Sequence, residues 1–206
     1  MNQIEDQYKT IQKPFESDVY KVKGSKFIAY AFPVQNEEQV KKYINQVKET
    51  HYKARHWCYA WQIGYNDAIK YRINDDGEPN NSAGQPILGQ IHSFDVTDIL
   101  IIVVRYFGGT KLGVGGLVSA YKMAAKMVLE KAKIVNKTIN TTFGIKFDYK
   151  EMDKVLRILK EHDALIMERK MELDCDFIIE IRNKNKEILV KNLEKCRCIK
   201  KIMLKI

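Results

Sequence analysis

The chain has 206 residues, of which 45% are hydrophobic and 30% charged, and its net charge is +9 at pH 7. These values are those of a globular protein with one large or two modest domains, and they argue against a disordered or fibrous chain. No apolar run approaches the roughly 18 residues that indicate a membrane span, and the opening MNQIEDQYKT lacks the features of a secretory signal. The positive net charge favours a polyanionic partner such as RNA.

The chain begins with strand patterns followed by one helix pattern. Residues 15–34 alternate between apolar and polar side chains as strands do, and Gly24 with Ser25 signals a turn within them. Residues 37–51 carry apolar side chains at helical spacing. Asn36 precedes this run and is predicted as its N-cap.

The next elements surround one very apolar run. Strands are predicted over residues 57–64 and 68–73, and Ser82 is predicted to cap a short helix. Ile99–Val104 is continuous, apolar and mostly β-branched, which indicates a central strand buried on both faces. A long helix over residues 115–131 is expected to pack on that strand.

The last third of the chain changes its pattern after a short polar segment, Asn136–Asn140, which predicts an inter-domain joint. We therefore expect two domains, residues 1–138 and 139–206. The second contains the order strand, helix, strand, strand, helix, strand, which is the ferredoxin-like arrangement in an α+β protein. The predicted ranges are 141–149, 151–162, 164–171, 172–181, 184–196 and 200–206.

Eight of the eleven glycines lie between Asp75 and Tyr121. This stretch opens with an acidic turn, DDGEP. One interpretation is a cation site or a general acid–base cluster. The other is a turn that accepts backbone N–H bonds, and we favour it because hard cations usually need about six oxygen ligands. The residues of this loop motif are Asp75, Asp76, Gly77, Glu78 and Pro79.

A second motif, RYFGGTKLGVGGL, joins the apolar strand to the long helix. In one interpretation it binds an anion or nucleic acid, because its glycines expose N–H groups at the helix start and its aromatic rings can stack on a base. In the other it is a glycine-shaped crossover whose aromatic residues pack in the core and whose arginine pairs with the acidic turn. Both remain open, and no nucleotide fingerprint matches the spacing. The candidate residues are Arg105, Tyr106, Lys111, Gly113, Gly115 and Gly116.

A third motif, ARHWCYAW, places two further candidate phosphate contacts, Arg55 and His56, beside a cysteine. Cys58 is interpreted as a buried structural thiol, because no third residue is evident to complete a catalytic set. Cys196 and Cys198 lack a second ligand pair, so no zinc site is expected. The four cysteines show no disulfide framework spacing, which indicates reduced thiols in the cytoplasm.

Three segments in this order resemble the YigZ/IMPACT family: ARHWCYAW (Ala54–Trp61), DDGEPNNSAGQPIL (Asp75–Leu88) and VVRYFGGTKLGVGGLVSAY (Val103–Tyr121). The similarity covers about Phe15 to Val135, and the tail looks like the second domain of the bacterial YigZ branch. Asn81 departs from the family, which usually has glycine there. Asparagine tolerates the left-handed conformation, so the turn is expected to survive.

The resemblance implies a first domain similar to the second domain of ribosomal protein S-five and to domain IV of elongation factor G. It implies a ferredoxin-like second domain similar to domain V of that factor. Eukaryotic IMPACT proteins act in translational control, and for bacterial members a role linked to RNA or the ribosome is suggested by fold similarity. No enzymatic activity is firmly assigned to the family.

Two functions of different classes are consistent with these patterns. The first is a non-catalytic, RNA- or ribosome-associated binding protein in the cytoplasm, acting in the regulation of translation, with RNA, the ribosome or a regulatory protein as partner. The alternative is a small hydrolase-type enzyme that uses Asp75, Asp76 and Glu78 with His56 or Arg105. Binding is favoured by the basic charge, and no cofactor, metal ion or membrane partner is expected.

Overall fold

The computed structural model describes residues 6–204. They divide into two compact units, one formed by Tyr8–Lys137 and the other by residues 6–7 and 138–204. Each unit has a hydrophobic core of its own. The last two residues of the predicted final strand, 205 and 206, lie outside the described chain.

The first unit is a mixed α+β structure in which three helices pack on a sheet. Asn36 caps the first helix as predicted, because its Oδ1 accepts the Gln39 N–H at 2.9 Å. The elements in chain order are β1 (Gln7–Ile11), β2 (Phe15–Glu16), β3 (Tyr20–Val22), β4 (Ser25–Pro33), α1 (Glu37–Thr50), β5 (His56–Ile63), β6 (Lys70–Asn74), α2 (Gly84–Ser93), β7 (Ile99–Tyr106), α3 (Gly113–Lys131) and β8 (Ile134–Thr138).

The sheet has the order β2-β4-β7-β5-β6, with β3 also paired to β4, and its neighbours are antiparallel. Strands β1 and β8 form a separate pair. The predicted central strand is confirmed, since β7 lies between β4 and β5 and residues 99–104 are all buried. A strand that is buried on both faces needs apolar side chains at every position, which explains why this run lacks alternation.

Alternate residues of β7 contribute to two different cores. Ile101 and Val103 belong to the core that α2 and α3 cover, whereas Ile102 and Val104 belong to the core beneath α1. Successive side chains of a strand point to opposite faces. Arg105, which follows Val104, therefore shares its face with α2 and α3.

The start of α2 differs from the prediction. Ser82 is not its cap, because the Ser82 hydroxyl donates to the Pro79 carbonyl oxygen at 2.6 Å. Asp75 caps the helix instead. Its Oδ1 accepts the N–H groups of Ala83 and Gly84, eight and nine residues later in the chain, at 2.9 and 2.8 Å. The acidic turn thus satisfies donors that a helix start leaves without partners.

The second unit contains the predicted order of elements. They are β9 (Asn140–Asp148), α4 (Met152–Glu161), β10 (Leu165–Met171), β11 (Asp174–Arg182), α5 (Lys186–Lys195) and β12 (Ile199–Leu204). The strands form an antiparallel sheet in the order β10-β11-β9-β12. Its buried face includes Phe143, Phe147 and Phe177, which pack with Val155 and Leu189 of the two helices.

The segment predicted as an inter-domain joint, residues 136–140, is largely strand. Strand β8 ends at Thr138 and β9 begins at Asn140, so only Ile139 lies between them. The domain bounds themselves stay a prediction. No helix within residues 6–204 is long and apolar enough to cross a membrane.

Candidate anion and nucleic-acid interface

The three sequence motifs meet at one end of the first unit's sheet. In the register of the sheet, His56 at the start of β5 pairs with Arg105, and Lys26 near the start of β4 pairs with Tyr106. The acidic turn, residues 75–79, contacts the same end through hydrogen bonds to β5. Residues far apart in the chain therefore form one surface.

Arg105 lies inside this end of the sheet. Only 4% of the residue is exposed, and its Nη1 donates to Oε1 of Glu78 at 2.5 Å. Its Nη2 lies 3.4 Å from the Ser25 hydroxyl oxygen, and its guanidinium lies over the rings of Phe27 and Phe107. The prediction that Arg105 contacts an anion is therefore not supported by its position, and the alternative, an ion pair with the acidic turn, is what the structure contains.

Glu78 connects this ion pair to a buried hydrogen-bond network. The Tyr121 hydroxyl of α3 donates to Glu78 Oε1 at 2.9 Å, and the Cys58 thiol lies 3.2 Å from the Tyr121 oxygen. The thiol also lies 2.9 Å from the Asp75 carbonyl oxygen. Burial is the main cause that raises the pKa of both Cys58 and Tyr121 well above their ordinary values. Cys58 is therefore the buried, structural thiol that the sequence predicts, and its raised pKa keeps it protonated at neutral pH.

The acidic turn uses its carboxylates within the protein. In addition to the two bonds at the start of α2, Asp75 accepts the Asn81 N–H at 2.8 Å, and Asp76 accepts the Trp57 N–H at 2.8 Å. Three residues of the loop have positive φ: Asp76 at 44°, Gly77 at 86° and Asn81 at 61°. Asn81 thus holds the left-handed turn where glycine is usual. The interpretation of DDGEP as a turn that accepts backbone N–H bonds is confirmed.

Tyr106 and His56 also have partners within the protein. The Tyr106 hydroxyl lies 2.9 Å from Nδ1 of His51, under α1 and on the opposite face of the sheet from Arg105. His56 is half-buried, and its Nδ1–H donates to the Asp76 carbonyl oxygen at 2.9 Å. Tyr106 is therefore turned away from the glycine turn, and Phe107, which is 44% exposed, is the aromatic residue on its surface.

The glycine turn, residues 107–112, leads directly into α3. Gly108 lies so close to the β3–β4 turn that a Cβ atom there would be 1.9 Å from the backbone carbon of Gly24. Helix α3 begins at Gly113, two residues earlier than predicted, and no side chain caps it. A Cβ atom at Gly113 or Gly115 would have nothing within 4 Å. Space is therefore open beside these two positions of the first turn of α3, which carries the partial positive charge of a helix N-terminus.

Exposed cations lie at this end of the sheet, and Lys26 among them shares the face of its cross-strand partner Tyr106. Lys23, Lys26, Arg55 and Lys111 are exposed, and within residues 6–204 none of them forms an ion pair. The acidic side chains of the same region are bound internally, as described above. The result is a surface, hereafter the basic end, where cations are exposed without ion-pair partners among the described residues, whereas Glu78 is buried and Asp75 and Asp76 accept backbone N–H bonds. It is formed by Lys23, Lys26, Arg55, Lys111 and the first turn of α3.

Two residues of the basic end, Lys23 and Lys26, are missing from the sequence-based prediction. They lie in a lysine-rich turn that shows no motif, and only the pairing of β4 with β7 brings them to the same end of the sheet as the glycine turn. The predicted residues Arg55, Lys111, Gly113, Gly115 and Gly116 do lie at this end. Arg105 and Tyr106 supply its framework, not its surface.

Comparisons with known proteins agree on one family. The model of the Impact N-terminal domain matches residues 23–129. IMPACT family member YvyE of Bacillus subtilis is 32% identical over 177 residues, which cover 86% of this chain and 81% of the relative. IMPACT family member YigZ of Escherichia coli is 34% identical over 150 residues, which cover 72% and 74%. A crystal structure of a hypothetical protein has a TM-score of 0.75 at 26% identity and covers 98% of this chain and 99% of its own.

Proposed function

This chain belongs to the IMPACT family, and from that premise we propose that it is a non-catalytic, RNA- or ribosome-associated binding protein that acts in the regulation of translation. The proposal includes the cytoplasm as its location. It also includes a first domain similar to the second domain of ribosomal protein S-five and a ferredoxin-like second domain. The strand order of the second unit, in which the first and third strands are central, supports the latter.

The observation that carries the proposal is the charge separation at the basic end. Four cationic side chains are exposed there without ion-pair partners among the described residues, whereas the carboxylate of Glu78 is buried and those of Asp75 and Asp76 accept backbone N–H bonds. A phosphate that approaches this surface meets cations first. Neutralisation of phosphates by lysine and arginine supplies most of the non-specific affinity for nucleic acids.

The glycine turn adds contacts that suit a nucleic-acid backbone. No side chain caps α3, and Gly113 and Gly115 leave space beside its first turn in which an oxygen ligand could bind the N–H groups. Lys111 is exposed two residues before the helix. Phe107 presents a half-exposed ring on which an unpaired base can stack. Together they favour a single-stranded or looped RNA segment over a regular duplex.

The hydrolase alternative loses support from the same contacts. It requires carboxylates of the acidic turn that are available to a substrate or to water. Glu78 and Arg105 are bonded to each other in the interior, and Asp75 caps α2. His56 donates its Nδ1–H to a backbone oxygen of the same turn. These residues hold the loop in place.

The test is a salt titration of RNA binding with matched variants. Lys26→Ala, Arg55→Ala and Lys111→Ala should each weaken binding of a structured RNA by a few-fold, and each should lower the slope of log affinity against log salt by about 1. Lys160→Ala is the control, because Lys160 is an exposed lysine of α4 without an ion pair among residues 6–204. Fluorescence anisotropy of a labelled RNA measures both quantities.

The melting temperatures of the four variants should match that of the wild type, since the substituted side chains are exposed. If the three variants of the basic end bind RNA as tightly as Lys160→Ala does, the basic end is not the interface. If wild-type binding is absent at low salt, or does not change with salt, the electrostatic basis of the proposal is wrong.

A further inference from the structure

A pocket of about 230 Å³ lies on the α1 side of the first unit, away from the basic end. Strands β2 and β4 form one wall of the pocket and the second half of α1 forms the other. The volume is below the range of about 300–1,000 Å³ that is typical of cofactor and small-molecule sites, so a single side chain is the natural occupant. The residues used in the argument below are Glu16, Tyr30, Phe32, Gln46, Val47 and Thr50.

The pocket contains aromatic and apolar surface with a single charge. The rings of Tyr30 and Phe32 are stacked at an angle of 10° with their centroids 6.2 Å apart, and both residues line the pocket. Val47 is buried beside them. Among all the lining residues Glu16 alone is charged, and it is an exposed carboxylate directly opposite Tyr30 in the register of β2 and β4.

A chain of hydrogen bonds fixes this wall. The Tyr30 hydroxyl oxygen lies 2.5 Å from Nε2 of His51, whose Nδ1 lies 2.9 Å from the Tyr106 hydroxyl oxygen. A neutral histidine ring donates from one nitrogen and accepts at the other, so His51 joins the two hydroxyl groups in either tautomer. Burial is the largest cause lowering the pKa of His51, so this histidine is neutral at pH 7. The wall is therefore ordered before a ligand arrives, which reduces the entropic cost of binding.

We propose that this pocket binds an arginine side chain of a protein partner. A planar guanidinium stacks on an aromatic ring and forms directed hydrogen bonds to a carboxylate, whereas an ammonium lacks the planar face. The side-chain amide of Gln46 and the hydroxyl of Thr50 at the mouth can accept the remaining N–H groups. A phosphate would be repelled by Glu16. This site is independent of RNA binding at the basic end.

The test uses capped amino acids as probes on the whole protein. N-acetyl-arginine methylamide should shift the backbone NMR signals of residues 16 and 50, with a Kd in the millimolar range expected for one side chain, about 1–10 mM. N-acetyl-citrulline methylamide has nearly the same shape without the charge, and it should bind more weakly by up to about fivefold, as expected for the loss of one exposed ion pair. The lysine analogue should also be weaker than arginine, because it lacks the planar group.

Glu16→Gln should bring the affinities of the arginine and citrulline probes to the same value. Glu49→Gln is the matched control, because Glu49 is an exposed carboxylate of α1 without an ion pair within residues 6–204, and it should leave the preference for arginine unchanged. Three results would overturn the proposal: equal binding of arginine and citrulline by the wild type, equal binding of arginine and lysine, or no shift at residues 16 and 50 up to about 20 mM probe.

Discussion

The buried ion pair between Arg105 and Glu78 gives the most direct test of how the first unit is held together. Both side chains are only 5% exposed, and the Nη1–Oε1 distance is 2.5 Å. Removal of one partner from such a pair typically costs about 3–5 kcal/mol, because the other charge is left buried without compensation. Arg105→Met keeps most of the apolar stem of the side chain. The change in the free energy of unfolding therefore reports mainly the loss of the charge and its hydrogen bonds. We expect a loss of about 4 kcal/mol in the free energy of unfolding.

The second arm of the experiment is Glu78→Gln, which keeps an oxygen acceptor for Tyr121 but leaves Arg105 without its counter-ion. We expect a loss of similar size. The double variant Arg105→Met with Glu78→Gln leaves no uncompensated charge. It should therefore cost less than the sum of the single variants by about 2 kcal/mol, within the range found for residues in direct contact.

The assay can be confined to the relevant unit. Both tryptophans of the chain, Trp57 and Trp61, lie in β5, so tryptophan fluorescence in a urea titration reports on this unit and not on the other. The control is Lys126→Met, which breaks an exposed i,i+4 pair with Glu130 and should cost no more than about 0.5 kcal/mol. If Arg105→Met costs no more than this control, the buried pair does not stabilise the sheet end.

Three further predictions concern single side chains. Cys58 is buried with a raised pKa, whereas Cys196 is partly exposed, so a thiol reagent at about pH 8 should modify Cys196 and leave Cys58 intact until the protein unfolds; equal rates in mass mapping would contradict this. Asp75→Ala removes three backbone contacts and should cost about 2 kcal/mol in the same titration, more than Ser82→Ala; the reverse order would restore Ser82 as the cap. Because the pKa of His51 is lowered in the folded protein, the unfolded state binds more protons at acidic pH. The contribution of His51 to the free energy of unfolding is therefore complete above the ordinary histidine pKa of 6.5 and is lost as the pH falls below that value. His51→Gln should abolish that part of the pH dependence, and an unchanged profile would refute the assignment.

The sequence predicts well those elements whose signals are local. Residues 99–104 are apolar at every position, and they form the most buried strand. Asn36 lies directly before a helical pattern and caps α1. The start of α2 is different: its cap comes from Asp75, at a distance of eight or nine residues, and the nearer Ser82 bonds to Pro79 instead. A rule based on neighbouring residues cannot find a cap supplied by a distant turn.

The candidate site is harder to predict, because its residues meet only through the sheet. The sequence shows that charges and glycines cluster near Arg105, but whether a cation is exposed or paired depends on contacts across 27 residues to Glu78 and 80 residues to Ser25. The hydrogen bonds of His51 to Tyr30 and Tyr106 likewise span 21 and 55 residues. Composition predicts that a basic surface exists, but not which lysines form it.

The contact between Gly24 and Gly108 has a consequence for how the first unit folds. The two backbones, 84 positions apart in the chain, approach so closely that neither tolerates a Cβ atom. The glycine turn therefore acquires its shape only after β4 has paired with β7. That pairing closes the long loop between Gly24 and Gly108, so the conformational entropy of this loop must be lost before the turn forms. We expect the turn to become ordered late in folding. A synthetic peptide of residues 103–121 should accordingly remain unstructured in water, although it contains one of the sequence segments by which the family is recognised.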